Sequence, residues 1–477
     1  MTPAKKTAKK PAARKPTKAS KPTKRAAPPE RNLGDELLAR CERVVELALA
    51  RGAQQAEAYA ESAASLDVEL ENGRIATTGA SRGAGASIRL VKDGRLGFAY
   101  WTQDAEAASS IDRALQQARL APQLGFRFPA PEKGRRLDGR WDDRVAALEV
   151  ADGITLAEEL LAGAKQASRK STVAGGGASL DHSTWALASS AGVRAWDRET
   201  GASCAASLVL QDGTRSVSSG ESRSAHSLHL DARDVAAEAG RTVESLRGPK
   251  PAKAKGAKDL VLRPDAAAEL VTGLAISAAT GDDAMRGKTV WSGKLGQSVA
   301  VPDLDLVDDS WVSGAISASA IDGDGLPTRR QPIIDGGILR AFLFDSWDAH
   351  RHKQVSTRSA VRGGFKSRPD TGTHHLVLSS RKARALDKII AGTDDGYLVD
   401  SVLGAHTANV TTGDFSVTSP NVWRIRKGAV EGPVTEVAIG GNLPDLLMRI
   451  DGVAKEPKRM AGAHIPAVRF RDVTVSS

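Results

Sequence analysis

One helix followed by an antiparallel meander is a pattern that occurs twice in the first half of the chain. Residues 34 to 52 place apolar side chains on one helical face, and this segment ends at Gly52. Alternating runs follow in "LDVELENGRI" and "ASIRLVKDGRLGFAYW", where Asn72-Gly73 and Asp93-Gly94 favour hairpin turns. A helix is then expected in "QDAEAASSIDRALQQARLA". This order predicts an α+β domain built on a helix and an antiparallel meander.

The second occurrence of the pattern indicates a duplication. "ADGITLAEELLAGAKQAS" has helical spacing, and "SSAGVRAWDRETGASCAASLVLQDGTRSVSSG" again has the character of a meander. A shift of 119 residues superposes Gly73 on Gly192 and Asp93-Gly94 on Asp212-Gly213 without a gap. Internal repeats of this kind indicate repeated structural units.

A Pro/Gly/Lys-rich segment divides the chain. A helix at about 231 to 247 precedes "RGPKPAKAKGAK", which is typical of a linker. We therefore predict an N-terminal α+β domain at 34 to 246, a linker at 247 to 258 and a C-terminal domain at 259 to 477. Gly/Asp turns between strand-like runs predict that the C-terminal domain is mostly antiparallel β. Helices are expected within it at 264 to 280, 382 to 391 and about 443 to 450.

The net charge of +10 lies entirely at the N-terminus. Residues 1 to 31 contain eleven Lys/Arg and one acid, so the other 446 residues hold 67 − 11 = 56 bases and 57 − 1 = 56 acids. This Lys/Pro/Ala tract has too little apolar surface to fold, and we predict a disordered tail. A solubilising role is favoured over contact with nucleic acid, which stays open.

The cysteines and the hydropathy indicate the compartment. Cys41 and Cys204 are the two cysteines, with no CxxC pair, which fits a reducing cytoplasm. No run reaches the roughly 18 apolar residues of a membrane span. We expect a cytoplasmic protein without a membrane partner.

No complete catalytic constellation is found in the sequence. There is no GxSxG nucleophile elbow, and "GDDAMRGKT" has five residues between its glycines where a phosphate-binding P-loop has four. The nine histidines form no HExxH motif, and "IDGDGLP" lacks the downstream glutamate of a calcium-binding EF-hand.

Three C-terminal blocks, at 281 to 309, 321 to 349 and 411 to 450, resemble the TldD/PmbA family, as does the "NGRI" meander near the N-terminus. The resemblance covers roughly residues 34 to 477. It implies a heterodimeric metalloprotease in which TldD and TldE (PmbA) subunits together cut unfolded peptides. TldD-type chains carry an HExxxH helix whose histidines bind zinc and whose glutamate serves catalysis, because zinc makes bound water nucleophilic near neutral pH.

The resemblance also shows where that motif would fall. Anchoring on Gly281-Asp282 places the first histidine at Thr272, the glutamate at Gly273 and the second histidine at Ser277. Thr and Ser are not usual zinc ligands, and Gly cannot act as a base. The chain therefore resembles the TldE/PmbA type, a noncatalytic pseudoprotease subunit with no cofactor of its own. Zinc is expected on a TldD-like partner, and unfolded peptides are expected to bind by strand addition.

Candidate contacts to substrate or partner come from two further C-terminal stretches, although turn and core roles are favoured for their members. These candidates are Thr412, Gly413, Asp414, Phe415, Ser416, Gly440, Gly441 and Asn442. Two other interpretations stay open. One is a stand-alone peptide-binding or scaffold protein, and the other is a homo-oligomeric metallopeptidase that recruits His350, His352 or His406.

Overall fold

The computed structural model describes residues 31 to 477. The predicted tail therefore lies outside the described residues, apart from its last position. Among the described residues, no helix is both long and apolar enough to cross a membrane. The α-helices are α1 Arg31–Ala50, α2 Ala107–Leu120, α3 Asp143–Ala146, α4 Val150–Ala167, α5 Ala232–Ser245, α6 Pro264–Ala267, α7 Gly273–Ala279, α8 Gly281–Met285, α9 Ser346–Arg351, α10 Leu386–Ala391 and α11 Leu443–Met448.

The N-terminal half forms one antiparallel sheet of six strands. They are β1 Gln55–Glu71, β2 Arg74–Lys92, β3 Arg95–Trp101, β4 Ser171–Ser189, β5 Arg194–Asp212 and β6 Arg215–Ala225. Their order in the sheet is β3-β2-β1-β4-β5-β6. The element order α1-β1-β2-β3-α2 recurs as α4-β4-β5-β6-α5, and the two halves join where β1 pairs with β4. The repeated helix-and-meander pattern of the sequence corresponds to these two halves.

Turn chemistry fixes the hairpins of the first half. Asn72 and Gly73 have φ angles of 51° and 74°, and Asp93 and Gly94 have 51° and 71°. Two consecutive positive φ angles define the turn that matches the twist of paired strands, and Asn-Gly and Asp-Gly tolerate them best. The corresponding turn of the second half is at residues 213 and 214, one residue later than the shift of 119 would place it, because Asp212 still belongs to β5.

Helices cover one face of this sheet. The apolar face predicted for the first helix is confirmed, with Leu37, Cys41 and Ala48 buried against β1, β2 and β4. A second cluster lies under α4 and α5, where Leu160 and Val243 are fully buried. Burial of these apolar faces is the main favourable term that holds helices to a sheet.

The C-terminal half is built on a 12-stranded, mostly antiparallel sheet and a separate two-stranded ladder. Its strands are β7 Lys255–Leu262, β8 Leu304–Asp309, β9 Arg330–Asp335, β10 Ile338–Leu339, β11 Ala360–Val361, β12 Asp370–Thr371, β13 Leu376–Ser380, β14 Asp395–Val399, β15 Asp414–Ser419, β16 Val422–Arg426, β17 Ala429–Val434, β18 Val437–Asn442, β19 Ile450–Met460 and β20 Ala463–Ser476. The main path is β10-β9-β8-β13-β20-β7-β14-β16-β17, with β15, β18 and β19 on a branch at β20. The pairs β13-β20 and β14-β7 are parallel. The predicted α+β fold class is confirmed.

Two predicted segments need correction. Residues 255 to 258, predicted as linker, already belong to β7, because they pair with the last residues of β20. The helix predicted at 382 to 391 begins at Leu386, because Arg384 is held in extended form between Val453 and Lys455 by backbone hydrogen bonds. In both places a distant strand supplies backbone partners that the local sequence does not show.

The segment predicted as one helix from 264 to 280 consists of three parts. Between α6 and α7 lies a π-turn, Ala268–Thr272, in which the Gly273 N–H donates to the Ala268 carbonyl five residues back. A π-turn adds one residue to a helical turn and so rotates the following residues relative to the preceding ones. Leu270, Val271 and Ala275 belong to the largest hydrophobic core of the C-terminal half.

A buried charge cluster joins the two halves. Arg89 donates to both carboxylate oxygens of Glu57, at 2.9 and 2.6 Å, and to Oδ1 of Asp324 at 2.7 Å. Arg362 also donates to Glu57, at 2.9 Å. The four side chains are between 0% and 4% exposed. Glu57 and Arg89 come from the sheet face opposite the helices, and Asp324 and Arg362 come from C-terminal loops.

Candidate functional site

An open cleft of about 530 Å³ lies beside the helical segment that contains Thr272, Gly273 and Ser277, the three positions predicted to correspond to the metal motif. Glu269, Gly273 and Ser277 line one wall, and the segment from 402 to 410 forms the other. Gly273 and Ser277 are four positions apart in α7, so they are only about 40° apart around the helix, and Glu269 lies in the π-turn before them. The cleft therefore meets one continuous face of this helix.

Two of the three predicted motif positions lie on that face, and the third does not. Gly273 and Ser277 line the cleft, whereas Thr272 is 3% exposed and does not line it. Thr272 is the last residue of the π-turn and is buried, whereas Ser277 lies within α7. The structure brings Gly273 and Ser277 together and separates Thr272 from them.

The cleft does not fit a catalytic zinc ion. The Ser277 hydroxyl donates to the Gly273 carbonyl at 3.0 Å, and Gly273 has no side chain. The side chains of the lining that could still act as metal ligands are Glu269 and His406. Catalytic zinc sites usually have three protein ligands. Throughout residues 31 to 477, no group of three or more His, Cys, Asp or Glu side chains is arranged to hold a metal.

Glu269 is a site residue that the sequence reasoning missed. Burial raises the pKa of its carboxyl, and the negative charge of Asp265 raises it further. Its position four residues before Gly273 was a signal in the sequence, because that spacing places it on the same helical face. Its carboxyl can accept hydrogen bonds from a bound chain, or donate one when it is protonated.

The eight candidate contact residues meet at the paired ends of β15 and β18. Asp414 is opposite Asn442, Phe415 opposite Gly441, and Ser416 opposite Gly440. Phe415 is buried, and a Cβ on Gly441 would lie 2.8 Å from its ring, so this pair has a packing role. Sequence reasoning had favoured a core role for Phe415, and its burial confirms that role.

A polar network closes the turn before β15. The Thr412 hydroxyl donates to Asp414 Oδ2 at 2.7 Å, and Asn442 Nδ2 donates to Asp414 Oδ1 at 2.9 Å and to the Thr412 carbonyl at 2.8 Å. The hydrogen bond from Asn442, followed by that from Thr412, lowers the pKa of Asp414. Gly413 has a φ of 83° and packs against Pro444, where a Cβ would be 2.9 Å from Pro444 Cδ. These contacts fix one backbone path for the turn.

This turn is continuous with the loop wall of the cleft. The N–H of Asn409 donates to the Asp414 carbonyl at 2.9 Å, and that of Gly413 donates to the Asn409 carbonyl at 2.7 Å. The Val290 N–H donates to the Val410 carbonyl at 2.9 Å. The network at Thr412, Asp414 and Asn442 therefore anchors the end of the wall that faces Gly273 and Ser277.

The three histidines considered as alternative ligands have separate surroundings. His350 Nε2 lies 2.9 Å from the Leu124 carbonyl oxygen, and His352 Nε2 lies 2.7 Å from Asp282 Oδ1. Of the three, only His406 lines the cleft.

Comparison with known proteins assigns the chain to a family. Models of the PmbA/TldA metallopeptidases match residues 56 to 121 as domain 1, 143 to 247 as the central domain and 255 to 477 as the C-terminal domain. The chain belongs to the PmbA/TldD family. Together the three matches cover most of the chain.

Individual proteins are similar to the chain over most of its length. Protein MJ0231 of Methanocaldococcus jannaschii is 27% identical over 80% of this chain and 86% of its own length. A metalloprotease of Methanothermobacter thermautotrophicus is 22% identical over 84% of this chain and 88% of its own length. The crystal structure of TldE from Thermococcus kodakarensis has a TM-score of 0.83, with 24% identity over 91% of this chain and 99% of that chain. At 24% identity, the similarity to this TldE structure shows that the two chains share a fold and nothing more.

Proposed function

We propose that this PmbA/TldD chain is the noncatalytic, TldE-type subunit of a heterodimeric metalloprotease, and that its cleft holds part of an unfolded peptide. The observation that carries the proposal is the cleft-facing helix surface of Glu269, Gly273 and Ser277, which offers hydrogen-bonding groups without a zinc-ligand set. Zinc and the catalytic base would then belong to a TldD-like partner. The fold likeness to a TldE supports the same assignment.

The shape of the cleft suits an extended chain. Its loop wall runs opposite the helix face and leads, through the hydrogen bond between Asn409 and Asp414, to the start of β15. Extended peptides bind through main-chain hydrogen bonds, which give affinity with little dependence on sequence. A cytoplasmic location is part of the proposal, and it is supported by Cys41 and Cys204, which are both free and buried thiols.

The proposal is tested with a TldD-type chain that carries HExxxH. Each chain alone and the two together are incubated with an unfolded peptide, and cleavage is followed by mass spectrometry. We expect cleavage only by the pair. Cleavage by this chain alone would refute the assignment, and absence of a complex between the two chains would remove the proposed partner.

A variant of this chain tests the cleft itself. Gly273→Phe places a ring between the two walls, and the backbone has room for it, since the nearest atom to a new Cβ is the Ala268 carbonyl oxygen at 3.8 Å. We expect cleavage by the pair to fall about tenfold or more, because lost alignment of a substrate costs about that much. Gly462→Phe, at an exposed turn with no atom within 4 Å of a new Cβ, is the control. Equal rates for both variants would exclude this cleft as a peptide path.

A further inference from the structure

A second, larger cleft lies at the other end of the C-terminal sheet. It has a volume of about 1160 Å³ and is lined by the faces of β14 and β16, by the end strand β17 and by residues 248 to 253. We call it the basic edge cleft. From β17 to β15 the path across the sheet crosses six strand spacings, roughly 29 Å at 4.8 Å per strand, so this cleft is separate from the one beside Gly273.

The basic edge cleft carries an excess of positive charge. Six basic and three acidic residues line it, a balance of 6 − 3 = +3. The bases are Lys250, Lys253, Lys258, Arg424, Arg426 and Lys427, and the acids are Asp394, Asp395 and Glu431. Residues 32 to 477 are neutral as a whole, so this excess is a local feature.

Part of that positive charge is unpaired. Lys258 and Arg424 both contact Asp395, and Arg426 lies 3.9 Å from Glu431. Lys250, Lys253 and Lys427 are exposed and have no ion pair with any residue between 31 and 477. Three exposed ammonium groups around one groove attract anionic groups, and this attraction is weakened by salt.

The cleft also borders an open sheet edge. β17 ends the sheet and pairs on its inner side with β16. On its outer side, the Lys250 N–H donates to the Pro433 carbonyl at 3.1 Å, and the Thr435 N–H donates to the Lys250 carbonyl at 2.9 Å. Within the described chain, the outer edge of residues 429 to 432 has no further backbone partner, and Val430 is 42% exposed. An edge of this kind is a template for another strand.

We propose that the basic edge cleft binds an acidic, extended segment of another protein chain, which adds as a strand to the outer edge of β17. The backbone at 429 to 432 would supply the hydrogen bonds, and Lys250, Lys253 and Lys427 would select acidic side chains. Nucleic acid fits less well, because stacking of bases needs exposed aromatic rings. Tyr397, the aromatic residue of the lining, is 1% exposed and lies under Arg424. The proposal does not depend on the function proposed for the cleft beside Gly273.

The charge requirement is tested with a fluorescein-labelled peptide of alternating Glu and Thr, using fluorescence anisotropy on the whole chain. The combined variant Lys250→Gln, Lys253→Gln and Lys427→Gln should weaken binding about tenfold or more. It removes the three positive charges that are proposed to contact the acidic side chains of the peptide. The control combines Lys133→Gln, Lys170→Gln and Lys294→Gln, which removes the same charge from exposed positions outside the cleft. An equal loss in the control would overturn the proposal.

The backbone requirement is tested on the unchanged protein. The same acidic peptide, N-methylated at alternate backbone nitrogens, keeps its charge but cannot complete a strand ladder. We expect it to bind about tenfold more weakly, since main-chain hydrogen bonds give such complexes their affinity. A methylated peptide that binds as tightly as the unmodified one would overturn the proposal. So would a single-stranded oligonucleotide of equal charge that binds as tightly as the peptide.

Discussion

Asp308 shows how burial changes the chemistry of a single side chain in this fold. It is 2% exposed, and its Oδ1 accepts backbone hydrogen bonds from His374 and His375, both at 2.9 Å. Burial raises the pKa of Asp308 to about 7, and the two hydrogen bonds offset only part of the cost of removing the charge from water. The folded protein therefore keeps this carboxyl protonated at a pH where the unfolded chain has released the proton.

Asp308→Asn should change how stability depends on pH. Because the folded pKa lies above the unfolded value, Asp308 lowers the free energy of unfolding as pH rises from about 4 to about 7. Relative to the wild type, the variant should gain up to about 4 kcal/mol between pH 4 and pH 8. Urea unfolding of both proteins at these two pH values measures the difference. Asp387→Asn, at an exposed helix position, is the control. The same pH dependence in wild type and Asp308→Asn would contradict the assignment.

At the scale of one element, the segment from α6 to α7 decides what the cleft can do. Its π-turn sets which side chains face the opening, and the result is a face of Glu269, Gly273 and Ser277. Gly273 and Ser277 on that face are four residues apart, which is the spacing at which two side chains of one helix can bind the same metal ion. His406 lies on the opposite wall.

Gly273→His combined with Ser277→His should create zinc binding. The two imidazoles would be one turn apart on the cleft face, with Glu269 and His406 available as further ligands. We expect zinc affinity at least about tenfold above that of the wild type, measured by titration calorimetry. Ser277→His alone is the matched control, because it adds one imidazole to the same face without completing the pair. Equal zinc affinity of the single and the double variant would contradict the prediction.

At the scale of the whole molecule, the two halves are joined through charges that are removed from water. Glu57 and Arg89 of the first sheet meet Asp324 and Arg362 of the C-terminal half, two acids with two bases. Such a cluster adds little net stability, because removing its charges from water costs free energy. The same cost makes any arrangement that leaves one charge buried and unpaired strongly unfavourable. The cluster therefore selects one docking geometry for the two halves.

Arg89→Met should be strongly destabilising. It leaves the carboxylate of Asp324 without its cation and removes two hydrogen bonds from Glu57. The expected loss is about 3–5 kcal/mol, because an unpaired charge would stay buried. Denaturant unfolding measures it. Arg381→Met breaks an exposed pair with Asp335 and should cost about 1 kcal/mol or less. Equal losses for the two variants would mean that the cluster has no special role.

The sequence alone determined the local features. The turns at Asn72-Gly73 and Asp93-Gly94, the buried face of α1 and the repeated helix-and-meander order all follow from neighbouring residues, since turn dihedrals and side-chain periodicity act over a few positions. The predicted motif positions at Gly273 and Ser277 came instead from the resemblance to a family, anchored on Gly281-Asp282.

The tertiary structure decided which distant residues meet. Glu269 and His406 face each other across one cleft although they are far apart in the chain, and Thr272 is turned away from it. Residues 255 to 258 form a strand because β20 supplies their partners. Strand pairing, burial and the π-turn depend on contacts between remote segments. The periodicity of a segment does not encode those contacts, because a side chain's environment is set by whatever packs against it.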